Sequence, residues 1–226
     1  AIMGHVVQAE ITIQGAGQGV TILENADAVM TIQDGPFVLR DLTYDGVDQA
    51  GGLFTDGQDL VIERVTFRNL YRQWGGAAQV LDGSLQMRDS TIEDSVGWDG
   101  PGAIALQDDS VGSLVHVTID GVTSLNRAAV TAIESQLDIT ECDFTSTLGD
   151  RGGAVHYDDA TGAVERSTFG ANVAADEVDE GGAIYLQNSA NVGVVASTFD
   201  NNSAVSGGWS GRRINIDLVE ADIHSV

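Results

Sequence analysis

Apolar and polar residues alternate in short runs along this chain, and each run is marked by a Thr followed by one large apolar residue. The instances are Thr21-Ile22, Thr43-Tyr44, Thr66-Phe67, Thr91-Ile92, Thr118-Ile119, Thr168-Phe169 and Thr198-Phe199, with Asp143-Phe144 and Asp222-Ile223 completing the series. The apolar members are spaced by 22, 23, 25, 27, 25, 25, 30 and 24 residues, a solenoid period. Two positions before each anchor stands a small or apolar residue: Leu42, Val65, Ser90, Val117, Cys142, Ser167, Ser197 and Ala221. The positions between carry Thr and charge. A period of two puts one face inward and one outward, so each anchor segment is a strand.

A second register runs in phase with the first, 16 to 18 residues ahead of the anchor. It is a small pair: Gly51-Gly52, Gly75-Gly76, Pro101-Gly102, Ala128-Ala129, Gly152-Gly153, Gly181-Gly182 and Gly207-Gly208. Apolar runs follow the pairs, as at residues 152–157 and 181–186, and segments such as 83–87 and 136–139 supply a third strand. Three short strands per coil of roughly 25 residues predict an all-β fold, a right-handed single-stranded parallel β-helix of about nine coils, as one domain over residues 1–226. The joint between the anchor strand and the small pair varies most in length, as at residues 173–180. Insertions therefore collect along one edge, where solenoids often meet partners.

Gly181-Gly182-Ala183-Ile184 followed by Phe199-Asp200-Asn201-Asn202, and Gly152-Gly153-Ala154-Val155 followed by Phe169-Gly170-Ala171-Asn172, resemble the GGAI and FxxN repeats of polymorphic outer membrane proteins. The resemblance is best over residues 150–210; toward the N-terminus only Ile22 to Asn25 keeps the anchor-to-Asn spacing. It implies a surface-displayed passenger domain with adhesive roles. Residues 11–22 are similar to the opening coils of pectate-lyase-like β-helices, in which an Arg can act as a lyase base. No Lys is present for that role, and the catalytic motifs of polygalacturonases and pectin methylesterases are not found.

Charge narrows the partners. The 34 Asp and Glu against 10 Arg give a net charge of -24, which repels phosphate backbones and excludes nucleic acid as a partner class. Solubility in a salty or cation-rich medium accounts for such acidity. Binding of Ca2+ is a second reading, although no compact calcium loop is present and no cofactor is expected. Cys142 is the single cysteine, so no intrachain disulfide forms. No stretch is apolar enough to span a membrane. The chain opens on Ala1 and is read as a segment or processed form of a longer protein, located at the cell surface or outside the cell.

Stacking adjacent coils should gather Asp89, Glu93, His116, Asp120, Glu141 and Asp143 on one outer patch, where a His among carboxylates could act as acid or base. Asp41/Asp45, Arg64/Arg68 and Asp89/Glu93 alternate in sign from coil to coil, which reads as ion pairing that sets register. His156 occupies an outward rank beside Tyr185, with Asp158 and Asp159 at a corner expected to be solvated, so a metal or sugar contact is conceivable there. Trp74, Trp98 and Trp209 lie near the variable edge and could stack on sugar rings or close the coil ends. The leading expectation is a non-catalytic structural or adhesive module meeting surface glycans or proteins. A polysaccharide lyase or glycosidase using the His116 patch is the alternative. A third reading is a fibre of head-to-tail copies, since no amphipathic helix covers either end.

Overall fold

The computed structural model describes residues 5–8, 10–24, 29–47, 51–175, 181–204 and 223–224. Every regular element among them is a strand, and the strands pair in parallel with their equivalents one coil away. One coil shows the plan: Ala78–Leu81, Ser84–Arg88, Thr91–Glu93 and Val96–Gly97. The first strands stack into an eight-stranded sheet (sheet I), the second and third into a fifteen-stranded sheet (sheet II), and the two-residue fourth strands into a six-stranded sheet (sheet III). The eight strands of sheet I are joined by seven steps, so the described rod makes about seven turns where nine were expected. Phe199 does pair with Ile223, but Ala221, Asp222 and the Gly207-Gly208 pair lie outside the described residues.

The core is a set of in-register columns. Tyr44, Phe67, Ile92, Ile119, Phe144 and Phe169 are fully buried and pair coil to coil. The first coil departs from the expected pattern, because Leu23 is the residue in register with Tyr44, while Ile22 faces Thr43 and is 46% exposed. The cause is local. Gly17 and Gly19 take positive φ in a tight turn, and the Thr21 hydroxyl accepts the Ala16 N–H, which draws Thr21 out of the Thr rank. Asn25, whose spacing was counted from Ile22, lies outside the described residues.

Corners follow from backbone chemistry. The bend between the second and third strands is one left-handed residue per coil: Asp41, Arg64, Asp89, His116, Glu141, Arg166 and Ala196. A second such column, including Asp82, Asp109, Glu134, Asp159 and Asn188, turns sheet I into sheet II. Asp and Asn tolerate this conformation better than most residues, so part of the acidity is conformational. The small pairs have another cause: backbones stack so closely that a Cβ on Gly76 would lie 2.0 Å from the Gly102 carbonyl oxygen, and one on Gly153 2.4 Å from that of Gly182.

The rank two before the anchor is more than small. At four bends its side chain satisfies a backbone N–H of the preceding coil: Ser90 Oγ accepts from Val65 at 3.1 Å, Cys142 Sγ from Val117 at 3.4 Å, Ser167 Oγ from Cys142 at 3.1 Å and Ser197 Oγ from Ser167 at 3.1 Å. Cys142 thus replaces a hydroxyl in a ladder, and burial pushes its thiol up to about 11. Its thiol should stay unmodified by a disulfide reagent at pH 8 in the folded chain and react promptly in denaturant. Rapid native-state labelling would contradict this assignment.

Candidate functional site

The left-handed bend column carries the charges that the sequence singled out. Arg64 Nε donates to Asp41 at 2.6 Å, and four residues further along each strand Arg68 pairs with Asp45 at 2.8 Å. The column continues with His116, whose Nδ1 lies 3.1 Å from Asp89 and whose Nε2 lies 2.6 Å from Glu141; Arg166 then pairs with Glu141 at 2.8 Å. His116 is therefore a cationic rung of an alternating ladder. Hydrogen bonding to Glu141, then to Asp89, raises its pKa, while Arg166 and then His116 lower that of Glu141.

The expected patch divides. His116, Asp89 and Glu141 come together, whereas Glu93 and Asp120 pair with each other's strands four residues further along, and Asp143 stands in the Thr rank between Thr118 and Thr168. No hydrogen bond or ion pair joins those three to His116 among the described residues. A raised pKa fixes the direction of pH dependence. The contribution of the His116 rung is complete below its ordinary value of about 6.5 and is lost as pH rises through the higher folded value. NMR titration should show the imidazole shifting above pH 6.5, and Glu141→Gln should move that midpoint downward. An unmoved midpoint would break the ladder assignment.

The second cluster lies on the outer face of sheet I, beneath the variable edge. At the corner Asp158 is part-buried and Asp159 exposed, whereas the His156 side chain is outward but fully buried, as are Ala105 and Thr131 in the same rank. Loops from the sheet III side cover this face. Trp74, part-buried, lies so close to Gly100 that a Cβ there would be 2.8 Å from the ring, and the Arg127 guanidinium sits 5.6 Å over Trp74. Trp98 is 44% exposed, and Trp209 lies outside the described residues. The loops are tied to one another: Gln73 Nε2 donates to Asp99 at 2.8 Å, Asn126 Nδ2 to Asp99 at 3.2 Å, and the Asn126 N–H to Asp150 at 2.7 Å.

Beneath them, the His156 and Tyr185 rings are 5.0 Å apart, and His156 Nε2 meets Gln187 Oε1 at 3.1 Å. Burial, reinforced by Arg127, pushes the His156 pKa down to about 3, so the ring is neutral. An oxygen can only accept; Nε2 therefore carries the proton and Nδ1 is an acceptor. Arg72, at the near end of this edge, is satisfied by neutral groups, Leu53 O, Gly75 O and Gln79 Oε1, and burial lowers its pKa to about 10. Among the described residues, no group of His, Cys, Asp and Glu has a metal-binding arrangement, and no helix is long and apolar enough to cross a membrane.

No protein-family model and no curated protein matches this chain. A solved structure similar to it is the catalytic unit of thermostable GH87 alpha-1,3-glucanase from Streptomyces thermodiastaticus strain HF3-3, at 12% identity and a TM-score of 0.31, over 89% of this chain and 57% of that one. This chain spans little more than half of that protein, and a likeness so distant carries no functional argument.

Proposed function

We propose that this chain is an extracellular, non-catalytic β-solenoid module that presents its variable edge as an adhesive or contact surface. The observation that carries this reading is the double engagement of His116. Both ring nitrogens are held by Asp89 and Glu141, and Arg166 holds Glu141 in turn, so the candidate acid and base groups neutralise one another along the rod. Their backbone conformation supplies a structural reason for being there. A shallow groove of about 280 Å³ on sheet II, lined by Val61, Gln86, Arg88, Val111 and Ser113 among others, contains no carboxylate. The Arg88 in it is already paired with Glu63.

The competing reading is a polysaccharide lyase or glycosidase, and it is tested directly. The protein is incubated with acidic and neutral polysaccharides while unsaturated products and new reducing ends are followed. No turnover is expected. Turnover that disappears in a folded His116→Ala variant would overturn the non-catalytic reading.

A further inference from the structure

We propose that the outer face of sheet III is a docking surface for a cationic protein segment, one with an apolar face bordered by Arg or Lys. This rests on reading the variable edge as the contact surface, since sheet III lies within the joint between each anchor strand and the small pair that follows.

The apolar part is built by the strands themselves. In sheet III the second residue of each strand is the inward one, and Gly97, Ser124, Gly149 and Ala174 in that rank are small and buried. The outward rank runs in register from Tyr71 through Val96, Thr123 and Leu148 to Val173. Trp98 and Leu125 carry the alternation two residues further, their N–H groups donating to the Arg72 and Gly97 carbonyls of the coil before at 3.0 and 2.7 Å. Tyr71 is 49% exposed, Trp98 44%, Leu125 45% and Leu148 37%. Large apolar residues scattered singly over a surface need no partner, but these four lie along one small sheet and form a patch. From Tyr71 to Val173 the strands, about 4.8 Å apart, make it about 19 Å long, the reach of an amphipathic helix of about three to four turns.

The charge around the patch says what covers it. On sheet II, Asp41, Asp45, Glu63, Asp89 and Glu141 each hold an Arg or a His. Along the border with sheet III that pattern stops. The carboxylates of Glu93, Asp94 and Asp120 have no hydrogen-bond or ion-pair partner among the described residues, and Arg68, on the strand beside Glu93, is committed to Asp45. At the opposite border Asp99 and Asp150 accept only from neutral N–H groups of Gln73 and Asn126, which leaves their charge uncompensated. Arg72 and Arg127 are turned to Gln79 and to Asp158, and exposed Arg151 follows Asp150, so the acidic border is strongest on the side of Glu93. A second copy would set acid against acid, because 34 Asp and Glu stand against 10 Arg and no Lys. A segment with Lys or Arg beside an apolar face satisfies both parts of the surface.

The test is calorimetric titration of the intact chain with a designed amphipathic helix of Leu and Lys, alongside analogues in which Glu replaces Lys or Gln replaces Leu. The Leu/Lys peptide should bind, and each analogue should bind about tenfold or more weakly. Trp98→Gln with Leu125→Gln, both at exposed positions, should weaken binding by a similar factor while circular dichroism shows the fold retained. Glu93→Gln, Asp94→Asn and Asp120→Asn together should also cost about tenfold. Asp82→Asn, Asp108→Asn and Asp109→Asn together remove the same charge at exposed left-handed bends elsewhere and should change affinity less than about twofold. No binding of the Leu/Lys peptide, equal binding of either analogue, equal loss in the two neutralised triples, or affinity unchanged in the Trp98 and Leu125 double variant overturns the docking surface. So does a dimer of the free chain, seen by light scattering, that the same double variant abolishes, because the face would then belong to a second copy. The non-catalytic reading fails by polysaccharide turnover and this surface by peptide binding, so the two failures are distinguishable.

Discussion

Replacing Phe169 by Ala is expected to lower the unfolding free energy by about 3 to 5 kcal/mol, the range for deleting a fully buried aromatic side chain. Phe169 is fully buried and stacked between Phe144, with centroids 4.8 Å apart and planes at 4°, and Phe199, at 4.8 Å and 5°. The cavity would not collapse. Hydrogen bonds on both sides hold the coils at a spacing of about 4.8 Å, so the neighbouring rings cannot close the gap without breaking the ladder. Denaturant titration gives the magnitude, and hydrogen exchange gives the place. Because each coil touches only its neighbours, protection should fall first in the coils carrying Phe144, Phe169 and Phe199, with the coil of Tyr44 affected least. A loss below about 1 kcal/mol, or a uniform fall in protection along the rod, would show that the column is not the element holding those coils together.

That column was legible in the sequence because a period of two assigns Phe169 and its equivalents to the inner face, and Thr or Asp before each fixes the register. The same logic misplaced Ile22, since a dipeptide pattern does not register a turn such as that at Gly17 and Gly19, which shifts the strand by one residue. The two-residue strands of sheet III are too short for any periodicity to appear. Pairing of Arg64 with Asp41 was foreseen, but His116 was read as the centre of a patch rather than as the next rung. Seeing it as a rung requires knowing that Asp41, Arg64, Asp89, His116, Glu141 and Arg166 all occupy the same left-handed bend. The outward rank of His156 is legible, but its burial is not, for a different reason. An outward rank is solvated only if nothing folds over it, and the small residues Ala105 and Thr131 in that rank were the available sign that the edge loops do.

The FxxN pattern has a physical content that leads to the second large effect. Asn172 is fully buried, and its Oδ1 accepts from the Thr147 N–H at 3.1 Å and from the Thr147 hydroxyl at 2.6 Å. Its Nδ2 donates to the Phe144 carbonyl at 3.0 Å and to Asn202 Oδ1 at 2.9 Å, while Asn202 Nδ2 donates to the Phe169 carbonyl at 2.8 Å. Each Asn therefore ties itself to the backbone of the Phe one coil back, as the rings stack. Asn172→Leu keeps the volume, strands the Thr147 N–H and hydroxyl and takes a donor from the Phe144 carbonyl, while Asn202 Oδ1 still accepts the backbone N–H of residue 172. At about 1 to 3 kcal/mol for each buried group left unpaired, with partial relaxation, a loss of about 3 to 5 kcal/mol is expected. Shape alone would not cause it. Leu70 and Val122 fill the equivalent position in other coils and are buried there, so the rank accepts an apolar side chain. A double-mutant cycle separates the two accounts. If the bonds matter, the losses from Asn172→Leu and Thr147→Val will be sub-additive by about 1 kcal/mol or more, because the second change removes a hydroxyl already stranded by the first. Strict additivity would mean that Asn172 acts by packing, and the amide ladder would then lose its place in the explanation of how these coils lock together.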